Sequence, residues 1–390
     1  MVLVEVNDQQ TEADFLRVHN QINAGNRHWI RPLDKDVRDV FDPKQNKFFR
    51  DGAVSRWVLR GDDGQLIGRV AAFINPRYKN KGDTVNVGGM GFFDCIDDQQ
   101  AANRLFDTAR QWLEERGMEA MDGPINFGER DKWWGLLVSG FEPPLYTMNY
   151  NPPYYQNLFE TYGFQNFFNQ LCYRMTVASE SAQLQQKFYD AHRLFANNPA
   201  VRAAHMQKAN LRKYATDFSI VYNKAWSKHE GNKQMGVEQA VRLFTTMAPI
   251  LDEKLVWFAY HNDEPVAMWL NIPDINQIVS HLNGRFGLLA KLKFFALKLM
   301  GTCTRFVGVA YGIVPAFQGT GIDYYMIVEA EKVIKASTSY QEVELQWQGD
   351  FNPKMLNISR NLGAEQNRVL VTYRYLFDRA MPFHRHPVLD

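Results

Sequence analysis

One order of elements runs through this chain twice, and that repetition restricts the fold more than any bulk property. The first half opens with a strand at 1–6 and helices near 9–22 and 33–40. Arg56 to Arg60 and Leu66 to Ile74 follow as two strands around Gly61-Asp62-Asp63-Gly64. Asp and Gly at that turn favour a hairpin. A strand at 85–96, a helix, a strand at 118–125, a short helix at 154–164 and a strand at 171–177 complete the half. The helix carries Ala102, Leu105, Phe106, Ala109, Trp112 and Leu113 on one face, with Asp97-Asp98 before it and Gly117 after it.

The second half predicts the same sequence of elements. A strand is expected at 205–213, then helices through Val221 to Trp226 and Val237 to Met247. A hairpin joins Leu255 to Tyr260 with Pro265 to Ile272, and an apolar segment at 286–300 interrupts. Strand 305–314, helix 321–335, strand 342–347, short helix 353–361 and strand 369–377 close the chain. The plan implies a mixed α/β (α+β) fold of two tandem domains. Each has a mostly antiparallel, twisted central sheet flanked by helices. The boundaries read as 1–178 and 204–390, joined by a helical connector at 179–203. A length of 390 residues fits two cores better than one.

Composition excludes several classes. Apolar residues are 45% and charged residues 22%, as in soluble globular proteins. The formal charge of +1, with scattered basic residues, predicts no nucleic-acid partner. Cys95, Cys172 and Cys303 are far apart, which argues against a disulfide framework or a thiolate zinc site and fits a reducing, cytoplasmic setting. His384 and His386 lack a carboxylate at ligand spacing, so no metal is expected. The start of the chain reads as a strand rather than a signal peptide. The 286–300 segment, with Lys291, Lys293 and Lys298, is too short and charged to span a bilayer. It is expected to pack on the protein or line a substrate cleft, although a peripheral helix lying on a membrane has a similar pattern.

Val314-Pro315-Ala316-Phe317-Gln318-Gly319-Thr320-Gly321-Ile322 reads as a strand end, a glycine turn and a helix start. Such a turn offers a row of free backbone N–H groups, a nest for phosphate. The turn and the repeated plan together resemble the GNAT superfamily of acyl-CoA N-acyltransferases, in two tandem copies over nearly the whole chain. That family's loop has the form Arg/Gln-x-x-Gly-x-Gly/Ala after a Val-x-Pro approach. Tyr155 to Phe164, with its Gly163-Phe164, resembles a later family motif, and Asn352, Met355, Asn357 and Leu362-Gly363-Ala364 resemble it in the second half. Gly123-Pro124-Ile125-Asn126 resembles a run found in a two-domain bacterial group of that kind.

The resemblance implies transfer of an acyl group from acetyl-CoA or a longer acyl-CoA to a small-molecule or peptide amine. It places the pantetheine arm along Gly312, Ile313 and Val314, and the diphosphate at Gln318, Gly319, Thr320, Gly321 and Ile322. Asn357 is a further candidate contact. Glu344 is the candidate base, with Glu342 on the same side of the strand and Trp347 on the other by parity. Asn352 stands where the family usually has a tyrosine acid. Tyr150, Tyr154, His281 and Trp347 are candidate acceptor contacts. The first half reads Phe93-Asp94-Cys95-Ile96-Asp97-Asp98-Gln99 at the loop position, with no glycine pair and three acids that would repel a diphosphate. The cofactor is therefore expected in the second half, with the first structural or acceptor-binding. Two rival readings are a non-catalytic acyl-CoA-binding or scaffold protein, and an aminoacyl- or peptidyl-transfer protein of the same shape.

Overall fold

The structure is a computed structural model that describes residues 1–178, 183–226 and 234–389. Residues 179–182 of the expected connector lie outside the described residues. The first half runs β1 (Val2–Glu5), α1 (Gln9–Asn23), α2 (Asp34–Val40), β2 (Ala53–Arg60), β3 (Leu66–Ile74), β4 (Val87–Cys95), α3 (Gln99–Glu114), β5 (Ala120–Gly123), β6 (Leu136–Ser139), α4 (Tyr155–Tyr162) and β7 (Gln165–Thr176). After α5 (Gln186–Phe195) come β8 (Val201–His205), α6 (Leu211–Ala225), α7 (Val237–Met247), β9 (Val256–His261), β10 (Glu264–Pro273), α8 (Asn276–Val279) and α9 (Leu288–Leu299). The chain ends with β11 (Arg305–Ile313), α10 (Ile322–Ser337), β12 (Glu342–Gly349), α11 (Pro353–Asn361) and β13 (Glu365–Leu376).

The expected order of elements is present, with three differences. The 205–213 region is not a strand: β8 ends at His205 and α6 begins at Leu211. Tyr214, Ala215, Phe218 and Val221 are buried at helical spacing, and that face decides the outcome. Strand β6 and the single turn α8 were not anticipated, being four residues each and too short for a readable period. The closing strands β7 and β13 are also longer than expected, at 12 residues each.

The strands form one continuous 13-stranded sheet in the order β1-β2-β3-β4-β5-β13-β7-β12-β11-β10-β9-β8, with β6 also on β13. Each half lends its last strand to the other. β13 pairs with β5 through Tyr373 to Leu376, while β7 pairs with β12 through Thr176 to Gln170. Packing follows the exchange. Val371, Tyr373 and Tyr375 of β13 join the first-half core with Leu105, Phe106 and Phe159. Tyr173 of β7 joins the second-half core with Trp269, Met326 and Val343. An aromatic ring buries a large apolar area, so these tyrosines tie the halves strongly.

Two parallel pairs break the antiparallel pattern. β4 pairs with β5 only from Val87 to Gly89, and β11 with β12 only from Arg305 to Gly308. Both β4 and β11 also slip register against their antiparallel neighbours. The slip in β4 includes Phe92 at φ 47°, and the slip in β11 leaves Val309 extra. A bulge re-aims the side chains beside it.

Candidate active site

A cavity lies at the β4 bulge, walled by Phe92, Phe93 and Asp94, by Pro124 after β5, and by Leu16, His19 and Asn20 of α1. Segments 29–37 and 144–151 cover it, and Asn276 of the second half closes one side. Asn276 Nδ2 donates to the Pro144 carbonyl at 2.7 Å, so the cover is fixed across the halves.

Asp94 is the hub of this cavity. Arg69 Nε donates to its Oδ2 at 2.6 Å, and His19 Nδ1 stands 2.9 Å from the same oxygen. The Tyr155 hydroxyl donates to Oδ1 at 3.1 Å and accepts the Cys95 N–H at 2.9 Å. On the other side of the imidazole, Trp29 Nε1–H donates to His19 Nε2 at 3.1 Å. That contact assigns the lone pair to Nε2 and the proton to Nδ1, facing Asp94. Burial works against the Asp94 charge, but His19 and Arg69 outweigh it and hold the carboxyl below its usual range. Burial, with Asp94 beside it, pushes the Tyr155 phenol well above its ordinary value. The arrangement is an imidazole oriented by a carboxylate, next to a phenol that stays protonated. It can take a proton from an amine and return it elsewhere. The sequence reading missed His19, Arg69 and Trp29, and read Asp94 only as an acid that would repel a diphosphate. Nothing local marks a histidine 75 positions from its carboxylate; only the bulge joins them.

Of the expected residues, Tyr150 lines this cavity and its hydroxyl donates to Asn26 Oδ1 at 3.0 Å. Tyr154 sits alongside, its hydroxyl donating to the Cys95 carbonyl at 2.8 Å. Trp347 packs with Leu137, Tyr150, Cys172 and Leu370. It is on the same face as Glu344, contrary to the parity expectation, because β12 slips register against β7 between Leu345 and Gln348. His281 is exposed at the far end of α8 and is not part of the cavity.

Glu344 occupies a different environment from that expected of a base. It is fully buried between two guanidinium groups, with Arg368 Nη2 at 3.0 Å and Arg305 Nη1 at 3.4 Å from Oε2. Arg305 also holds Asp274 at 2.7 Å and reaches the Pro143 carbonyl at 3.4 Å. Arg368 reaches the Glu142 carbonyl at 3.4 Å. Its side chain has no exposed surface and pairs with both guanidinium groups. The network anchors segment 142–145, which carries part of the cavity cover. Asn352 accepts the Met355 N–H at 3.3 Å as the cap of α11, and Asn357 is exposed on that helix.

The glycine turn of the second half also differs from expectation. Gly319 and Gly321 have φ of 76° and 85°, which fits glycine. Part of the row is open: among the described residues the Gly319 and Gly321 N–H groups meet no acceptor. Thr320 Oγ1 accepts from Ile322 N–H at 3.4 Å, and α10 has no side-chain cap at Gly321 but carries the Asp323 carboxylate in its first turn. Tyr311 donates its hydroxyl to the same carboxylate at 2.5 Å. Asp323 stands where the resembled loop ends in Gly or Ala. A β-carbon on Gly321 would meet Ala191 at 3.0 Å, so α5 packs over this turn. Gly312 is buried, with the Trp226 ring against it, while Ile313 is half-buried and Val314 buried.

A continuous sheet with two β-bulged, splayed parallel pairs defines the tandem GNAT fold, and the chain has it. A tandem GNAT protein from the clavulanic acid biosynthesis pathway, solved without acetyl-CoA, superposes with a TM-score of 0.53 at 12% identity. It covers 97% of this chain and 100% of that one. A GCN5-related N-acetyltransferase from Sphaerobacter thermophilus superposes with a TM-score of 0.50 at 11% identity over 98% of both chains. In sequence, the chain is 26% identical over 374 residues to the bacterial ceramide synthase of Caulobacter vibrioides (strain NA1000 / CB15N), 94% of each. It is 26% identical over 363 residues to Protein YghO of Escherichia coli (strain K12), covering 90% of this chain and 89% of that protein. No family model matches the chain.

Proposed function

We propose that this protein is an N-acyltransferase that moves an acyl group from a long-chain acyl-CoA to the amine of a long-chain acceptor, with its reaction centre in the first-half cavity. The observation that carries this is the His19–Asp94–Tyr155 cluster at the β4 bulge. Likeness to a ceramide synthase supports the substrate class, since a ceramide is the amide of a fatty acid and a long-chain amino alcohol. With the Trp29 N–H turned away from Nε2, His19 takes the ammonium proton there and passes it to solvent. The freed amine attacks the thioester carbonyl, the nitrogen's second proton passes to the imidazole, and the imidazolium gives it to the thiolate as the C–S bond breaks. Asp94 orients the ring and stabilises its charge. Tyr155 and Arg69 keep Asp94 in place.

A second reading keeps the cofactor at Gly319 and Gly321, with the chemistry in the second half. It is supported by their left-handed backbone, and by N–H groups that meet no acceptor among the described residues. The carboxylate of Asp323 in the first turn of α10 weighs against it, because it would repel a diphosphate. The deciding measurement is turnover of palmitoyl-CoA with a sphingoid-type amine in His19→Ala and Gly319→Ala. Activity lost only in the first supports the proposal. Activity lost only in the second moves the centre to the carboxyl-terminal half.

A further inference from the structure

Helix α9 was expected to pack on the protein or line a cleft, and it does neither with most of its apolar surface. Only Phe294 of the helix is buried, where it joins the core with Ile278, Val279 and Leu282. Ala290 and Leu297 flank it on the inward side. Leu288, Leu292, Phe295 and Leu299 are spaced four, three and four apart, so they share one outward face. Leu289 and Met300 widen that face. Leu289 is 81% exposed and Leu299 89%. A monomer seldom shows water so much contiguous apolar side chain.

Charge specifies what covers it. At 100° per residue, Lys291 and Lys298 fall along one border of the outward face and Lys293 along the other. The run 280–304 has no acidic residue, and exposed Arg285 precedes the helix. Lys293 Nζ donates to the His281 carbonyl at 2.8 Å and Lys298 Nζ to the Pro249 carbonyl, so Lys291, with Arg285 before the helix, is the cation placed to lay its stem on hydrocarbon and its charge in a headgroup layer. Position adds a further argument. The Gly284 carbonyl accepts the Asp34 N–H at 2.9 Å, and Arg31 Nη1 donates to Asn283 at 3.4 Å. Ile30, Pro32, Leu33 and Asp34 all line the first-half cavity. The helix thus stands beside the cavity cover.

We infer that α9 seats the protein on an anionic lipid bilayer, with the outward leucines at the headgroup–acyl boundary and Arg285 and Lys291 on anionic headgroups. The seating itself is independent of the reaction. Only the corollary, that amphiphilic substrates enter the cavity from the lipid, rests on the proposed function.

The test is flotation of the full chain with phosphatidylglycerol-containing vesicles and with pure phosphatidylcholine vesicles. Wild type is expected to float with the anionic vesicles and much less with the neutral ones. The triple change Leu289→Glu, Leu292→Glu and Leu299→Glu should cut partitioning at least about tenfold, and Arg285→Glu with Lys291→Glu about thirtyfold, near 1 kcal/mol per basic residue. These side chains are exposed, and an unchanged thermal midpoint confirms that the variants fold. Wild type left unbound by anionic vesicles, or bound equally after either change, overturns the inference. So does a dimer by light scattering that the leucine changes split, since the face then belongs to a second copy. Turnover of a short, soluble acyl-CoA should be the same in the leucine variant and wild type, so that a failure of seating is separable from a failure of the catalytic reading.

Discussion

The two halves have one plan and fill it differently at the same place. Just past the β4 bulge, Arg69 pairs with Asp94; just past the β11 bulge, the corresponding pair is Leu270 and Ala310. The first pair binds His19 and Tyr155 and borders a cavity. The second lies in an apolar cluster with Phe258 and Met268. At the helix that follows, the first half caps its N-terminus with Asp98, which accepts from Ala101, whereas the second has no side-chain cap at Gly321 and carries Asp323 in its first turn. A glycine turn alone is therefore a poor guide to an anion site. The charge that the first turn carries counts as well.

Several measurements can break or sharpen this contrast. The largest expected effect is His19→Ala, which should lower kcat/KM for acyl transfer by about 10²–10⁴ with little change in thermal midpoint. A smaller loss would remove general-base catalysis from the first half. Next is Arg368→Met, which leaves Glu344 with fewer partners at full burial. It should cost about 3–5 kcal/mol in urea unfolding. A cost near zero would mean that the cross-half ion network contributes little.

Asp94 and Asp323 should then give opposite pH signatures. Asp94 is held below its unfolded value by His19 and Arg69 against burial, so its stabilisation is present above about pH 4 and lost as pH falls through the folded pKa. Asp323 is raised chiefly by burial, so its contribution is present below about pH 4 and lost as pH rises through the folded pKa. The stability gap between wild type and Asp94→Asn should shrink on acidification. That between wild type and Asp323→Asn should instead move in favour of the variant as pH rises past the ordinary carboxylate range. Parallel trends in urea titrations across pH 3–7 would contradict the assigned environments. The smallest effect belongs to Gly319→Ala. Its β-carbon meets nothing, so only the left-handed backbone resists it, at about 1 kcal/mol. Activity is expected to stay within about threefold, below 1 kcal/mol of barrier.

Much of the fold was legible because its signals are local. The Gly61–Gly64 turn, the α3 face from Ala102 to Leu113 and the Pro353 start of α11 each depend on a few neighbours. The site was less legible because its parts are not neighbours. His19, Arg69, Asp94 and Tyr155 meet through a bulge that no periodicity announces. Trp347 changed face for a similar reason, since one extra residue reverses every parity argument beyond it. Glu344 looked like a free strand acid until Arg305 and Arg368, 39 and 24 positions away, enclosed it.

The exchange of closing strands has a consequence for synthesis. During translation β5 has a bare edge for a long interval, because the segment that covers it, Tyr373 to Leu376, follows it at a separation of 252 positions between Asp122 and Arg374. The amino-terminal half cannot complete itself on the way out. It must wait, with an open strand border that invites wrong partners, until β13 arrives. A newborn chain of this design depends on a strand of its second half for the integrity of its first.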